Sequence, residues 1–138
     1  MYACAASSKR QFVYTAAVEK ENEMHRMKLQ PDPFEKIKMG QKTIELRLYD
    51  EKRRKINVGD IISFTNTVTG EEISARVAAL HRFASFAELY GSLPLLKCGY
   101  TAENVEAASP ADMDLYYPPE KQREYGVLGI ELRIEEQQ

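Results

Sequence analysis

Apolar and polar residues alternate most regularly along residues 43–49, with Ile44, Leu46 and Leu48 on one side and Thr43, Glu45, Arg47 and Tyr49 on the other. A period of two predicts a half-buried strand. Just before it, Asp32, Pro33 and Glu35 read as the N-cap, first helical residue and capping-box acid of a short helix. That helix would bury Phe34 and Ile37 and close at Gly40 in a left-handed conformation. The helix-to-strand corner therefore projects Lys42, Glu45 and Arg47 from one small stretch of backbone.

The same patterns organise the rest of the chain. Met27, Lys28 and Leu29 alternate as a first strand ended by Pro31, which cannot donate to a sheet ladder. Residues 50–57 are charged and read as an exposed loop. After a turn at Val58, Gly59 and Asp60, the β-rich run 61–65 leads through a hairpin at 67–70 into a strand over 72–81. In that second strand Ile73, Ala75, Val77 and Ala79 fall on one face, and the two strands should pair. Ser85 and Glu88 form a second capping box for a helix carrying Phe86 and Leu89 and ended by Gly91. Residues 93–100 follow no clear period. Thr101 is placed to cap a helix over 102–108, and Ser109 with Pro110 and Asp112 opens another through Tyr116. A helical turn over 120–125 precedes a last strand from Gly126, in which Leu128, Ile130, Leu132 and Ile134 are the expected core face. Short helices among strands, without a βαβ rhythm, predict an α+β fold around a partly closed barrel.

With 138 residues, 43% of them apolar, the chain fits one domain with an ordinary core. Residues 1–26 read as an N-terminal extension outside that core. Its small and apolar residues are interrupted by Ser7, Ser8, Lys9 and Arg10 before a signal-peptide core forms, and residues 11–15 have only β propensity. No stretch suits a membrane span. Cys4 and Cys98 make neither a metal-ligand spacing nor a disulfide framework and read as free thiols of a cytoplasmic protein. Neither a metal nor a cofactor is implied. The net charge of −2 excludes a protein that coats nucleic acid through a broadly basic surface. Residues 36–55 are the exception, holding eight basic residues against three acidic ones.

Lys42 is the leading candidate, because an ammonium at a turn beside Glu45 and Arg47 can bind phosphate, orient a base or move a proton. Arg47 can grip a phosphate while Glu45 accepts from a base amine, or the two can simply form a cross-strand salt bridge at the barrel rim. Thr43 adds a hydroxyl on that side. Lys52, Arg53, Arg54 and Lys55 suit a nucleic-acid backbone as well as they suit a solvated loop. Tyr117, with Tyr100 and Tyr116, is a candidate for stacking on a splayed base, although such residues equally pack cores. His81 reads as structural or exposed, since no third group is placed to orient it, and His25 precedes the domain.

The segment Gly40-Gln41-Lys42-Thr43-Ile44-Glu45-Leu46-Arg47 resembles the Gly-x-Lys-x-x-Glu-x-Arg signature of the ASCH domain, within the PUA-like superfamily. The resemblance takes in Asp32-Pro-Phe-Glu before it and Val58-Gly59-Asp60 after it, and covers about residues 27–134. It implies a small PUA-like/ASCH β-barrel of about five to six strands with short helices packed around it, and a cleft that binds RNA or a nucleotide. Some relatives hydrolyse an acylated cytidine nucleoside, and ribonuclease activity is proposed for others. In the deacylating relatives a threonine stands where this chain has Glu45, and a downstream glutamate completes the set. Glu103 and Glu106 are the candidates for that carboxylate here. The expectation is an RNA- or nucleotide-binding domain over 27–138. Its first alternative is a hydrolase using Lys42 and Glu45, and its second a module that binds acidic peptides.

Overall fold

The structure is a computed structural model and describes residues 23–135; residues 11–15 and Cys4 lie outside that range. Five strands form one sheet: β1 (Met24–Leu29), β2 (Ile44–Leu48), β3 (Ile61–Asn66), β4 (Glu72–Phe83) and β5 (Val127–Ile134). Around it lie helices α1 (Pro31–Lys38), α2 (Phe86–Ser92) and α3 (Pro119–Tyr125), with short 3-10 turns between. The strand order is β1-β3-β4-β5-β2, with β1 parallel to β3 and every other pair antiparallel. Although joined by α1, β1 and β2 thus occupy opposite edges. The sheet curls until Arg47 on one edge donates to the Lys28 carbonyl on the other at 2.9 Å, which makes it a half-barrel.

Local signals explain most elements, and competing signals explain the departures. β1 starts at Met24, which is in register with Ile61, and His25 lies 2.8 Å from the buried Asp60 carboxylate. Helix α1 buries Phe34 and Ile37 as expected, but Gln30 is its N-cap rather than Asp32. Pro31, with fixed φ and no N–H, takes the helix start, and Asp32, now inside the first turn, pairs with Lys36 at 3.0 Å. Gly40 closes the helix at φ +84°, and the amides of Gly40 and Gln41 bond back to Ile37 and Lys36. Ser85 caps α2 through the Glu88 amide. Thr101 caps no helix over 102–108. The Asn104 side chain accepts from the Thr101 amide at 2.7 Å, and this local bond leaves only a 3-10 turn at Val105–Ala107. Ser109 and Asp112 do form a capping box, on a 3-10 helix over Pro110–Leu115.

Two apolar clusters lie on the two faces of the sheet. The concave one joins Met27, Phe34, Ile37, Phe64, Leu128 and Ile130, and the other packs Ile44, Leu46, Leu48 and Val127 against Phe86 and Leu89 of α2. Strand β5 is buried on both sides, so its near-continuous apolar run serves two cores. Ile134 shares the expected core face with Leu132 but is 37% exposed, because β2 pairing ends at Glu131 and the tip of β5 has one open flank. In β4 the alternation breaks. Val77 pairs with Leu132 but Ala79 with Glu131, so Ala78 is a bulge residue, and beyond it Leu80 rather than Ala79 joins the concave core.

Candidate functional site

Lys42 stands at the entry to β2, and Glu45 and Arg47 follow on the concave face of that strand, opposite Ile44, Leu46 and Leu48. All three charged heads meet. The Lys42 ammonium lies 2.9 Å from Oε1 of Glu45, and Arg47 Nε donates to Oε2 at 2.6 Å. Their side chains are only 11%, 5% and 12% exposed, so the trio is walled rather than solvated. The expected salt bridge forms within one strand and not across two. Among the described residues the Lys42 ammonium is the one partner of Oε1.

Burial opposes ionisation of Glu45, but the charges of Lys42 and Arg47 outweigh it and hold the carboxyl below the usual range. Burial likewise weakens the charged form of Arg47, and Glu45 more than restores it. The turn Leu95–Cys98, followed by Gly99 at φ +115°, lies against Lys42. It is tied down by the Thr43 amide donating to the Lys97 carbonyl and by the Lys36 ammonium donating to the Gly99 carbonyl, both at 2.9 Å. A Cβ on Gly99 would stand 3.4 Å from the Lys42 Cδ, so the lysine stem has little lateral room. Burial pushes the Cys98 thiol up to about 11, only partly offset by Lys42, and keeps it protonated near neutrality.

Tyr117 packs with the opposite cluster, near enough for its hydroxyl to feel Arg47 and Glu45. Its ring stacks on Phe86 at 6.2 Å, and burial raises its hydroxyl pKa against the fields of Arg47 and Arg53. Arg53 is anchored by Asp50 at 3.0 Å, and its buried Nε has no partner among the described residues. The basic loop therefore divides: Arg53 turns toward the site, Arg54 lies over the Tyr49 ring, and Lys52 and Lys55 are exposed. Thr43 contributes backbone bonds. Glu103 and Glu106 are exposed and are not brought to Lys42; Asp50 is the second carboxylate whose field reaches this region. Tyr100 bonds to Tyr90 and Asp112, while Tyr116 is 67% exposed. His81 pairs with Glu131.

Tyr49 and Arg82 were not singled out by sequence. The alternation of Glu45 and Arg47 extended by one step reaches Tyr49, but nothing local marks Arg82. Among the described residues no cluster of His, Cys, Asp or Glu suits a metal ion, and no helix is long and apolar enough to cross a membrane. An open hollow of about 460 Å³ beside Lys38, Glu71 and Glu135 lies away from Lys42; its walls are mostly apolar, with Glu71, Glu72 and Glu135 as carboxylates against the single cation Lys38. Its charge does not suit an anionic ligand.

The family described as ASCH domain matches residues 27–136 of this chain. Among solved structures, the chain is similar to PF0455 from Pyrococcus furiosus, with 36% identity over 83% of this chain and 99% of that one and a TM-score of 0.64. Hypothetical protein PH0355 shows 34% identity over 81% and 99% of the two chains, with a TM-score of 0.66. ASCH from Zymomonas mobilis shares the fold at 16% identity, covering 80% of this chain and 67% of that one, with a TM-score of 0.56. No curated protein matches the chain.

Proposed function

Because the chain belongs to the ASCH domain family, with its PUA-like α+β fold, we propose that it binds RNA or a nucleotide-derived ligand at the concave end of the half-barrel beside Lys42, Glu45, Arg47 and Tyr117. The observation that carries this reading is the Glu45 carboxylate, buried between two cations, with Oε1 contacted among the described residues by Lys42 alone. Such an oxygen suits a base amine or ribose hydroxyl, while Lys42, Arg47 and Arg53 outnumber Glu45 and Asp50 and favour an anionic ligand. Lys52, Arg54 and Lys55 extend the positive field toward solvent. Tyr117 offers an aromatic edge to a base.

A hydrolase on the same residues needs a group free to exchange a proton. Glu45 is held ionised by its two partners, and Glu103 and Glu106 stand elsewhere. Binding is therefore the favoured reading. The test is a titration of nucleosides, nucleotides, short RNAs and an acidic peptide against wild type and Lys42→Ala, with circular dichroism to check the fold. RNA or a nucleotide should bind the wild type and lose about tenfold or more in Lys42→Ala, the worth of one charged hydrogen bond. Equal binding by a folded Lys42→Ala protein, or binding of the peptide alone, would sink the proposal. Turnover of an acylcytidine that vanishes in Lys42→Ala would move the assignment to the hydrolase.

A further inference from the structure

The bulge in β4 aims an arginine that has no part in the site around Glu45. Val77 faces the concave core, and an unbroken strand would keep Ala79, His81 and Phe83 on that side. With Ala78 inserted, Leu80 takes the concave face while Phe83 packs with the opposite cluster, so Arg82 falls on the concave side, where it stays exposed at the rim. Register then sets Arg82 beside Leu128 and Leu128 beside Arg47. Paired residues share a face, so the two arginines stand on the same side of the sheet at backbone positions two strand spacings, about 10 Å, apart.

Tyr49 receives them. The guanidinium carbon of Arg82 lies 4.2 Å from its ring centroid, and that of Arg54 lies 5.1 Å away. Arg54 Nε donates to the Tyr49 carbonyl at 3.0 Å, which fixes the group while leaving its terminal amines free of that bond. Among the described residues neither arginine has a carboxylate within ion-pair distance, and Asp50 is committed to Arg53. Two cations gathered on one ring without an acid are a poor arrangement in isolation and a good one around an anion.

We infer that Tyr49, Arg54 and Arg82 form a phosphate-binding subsite at the mouth of the half-barrel, so that the ligand carries a phosphate beyond the group held beside Glu45 and Arg47. The inference rests on the nucleotide-binding reading for what occupies the rest of the site. A terminal phosphate and an RNA phosphodiester offer the same oxygens to these N–H groups, and binding assays can separate them.

Wild type, Arg82→Gln and the double variant Arg54→Gln/Arg82→Gln are titrated with a single-stranded RNA octamer, cytidine 5′-monophosphate and pyrophosphate. Nuclear magnetic resonance follows the arginine Nε–Hε signals, and thermal melting checks the fold. Pyrophosphate should shift the Arg54 and Arg82 signals of the wild type. The double variant should lose about tenfold in affinity for the phosphate-bearing ligand. If that ligand is the octamer, the salt dependence should become shallower by about 0.7 for each phosphate that the variant no longer neutralises; if it is the mononucleotide, a terminal phosphate is the group bound. Wild-type affinity and salt slope in a folded double variant would overturn the subsite while leaving the nucleotide reading intact. Pyrophosphate shifts that vanish in Arg82→Gln, with no nucleotide or RNA bound by the wild type, would uphold the subsite and remove that reading. Absence of any shift with all three compounds would overturn the subsite.

Discussion

Glu45 is the residue whose ionisation the fold commits itself to. Its carboxyl is held below the ordinary glutamate value of about 4.3 because Lys42 and Arg47 outweigh the effect of burial. The unfolded chain thus takes up a proton here before the folded one does. The resulting stability is complete above the unfolded value and is lost as pH falls through the lower folded value. Urea midpoints should therefore fall on acidification below about pH 4.3, and Glu45→Gln should remove part of that slope. A slope identical in the variant would show that other carboxylates carry it. Glu45→Ala is the harsher change. It strands two largely buried cations and should cost about 3–5 kcal/mol, read as a lower urea midpoint at an unchanged m-value. An unchanged midpoint would mean that water reaches and solvates Lys42 and Arg47 as soon as the carboxylate goes.

Two glycines show how differently the elements use the same residue type. Gly126 ends α3 at φ +75° and ψ −175°, where a Cβ would stand 3.0 Å from the Phe83 carbonyl. That backbone region is essentially closed to other residues, and Gly126→Ala should destabilise by about 1–3 kcal/mol. Gly91 lies within α2 and has open space around its Cα. Gly91→Ala should stabilise by about 0.5–1 kcal/mol, since alanine loses less backbone freedom in a helix. Thermal melts of the two variants should move in opposite directions. A common direction would contradict the backbone geometry at one of the two sites. The β4 bulge makes the same point about strands: period two predicted the faces of Ile73, Ala75 and Val77, and one inserted residue reversed them afterwards. No local property of Ala78 announces this, because the bulge is set by how β4 meets β5 and not by either strand alone.

The curled sheet closes through few bonds, and Arg47 holds both of its edges. Its guanidinium reaches Glu45 on β2 and the Lys28 carbonyl on β1, so site and seam share one side chain. Arg47→Lys keeps a charge but not the planar fork that serves both partners. Amide hydrogen exchange in that variant should quicken in β1, which among the described residues has only β3 as a strand neighbour, while the central β4 and β5 keep their protection. Uniform exchange changes would show that the seam is held by packing instead. What the sequence determined on its own is whatever depends on near neighbours. Strand period placed Glu45 and Arg47 on one side, Gly40 closed α1, Ser85 and Ser109 capped their turns, and the motif around Lys42 marked the family. Even Glu45 next to Lys42 and Arg47 was legible as a trio. Only the tertiary structure decided that the trio is buried, that β1 and β2 meet across a seam, that Glu103 and Glu106 stay outside, and that Arg82 lies over the Tyr49 ring. Those outcomes depend on register and curl, which arise from contacts between segments far apart in the chain.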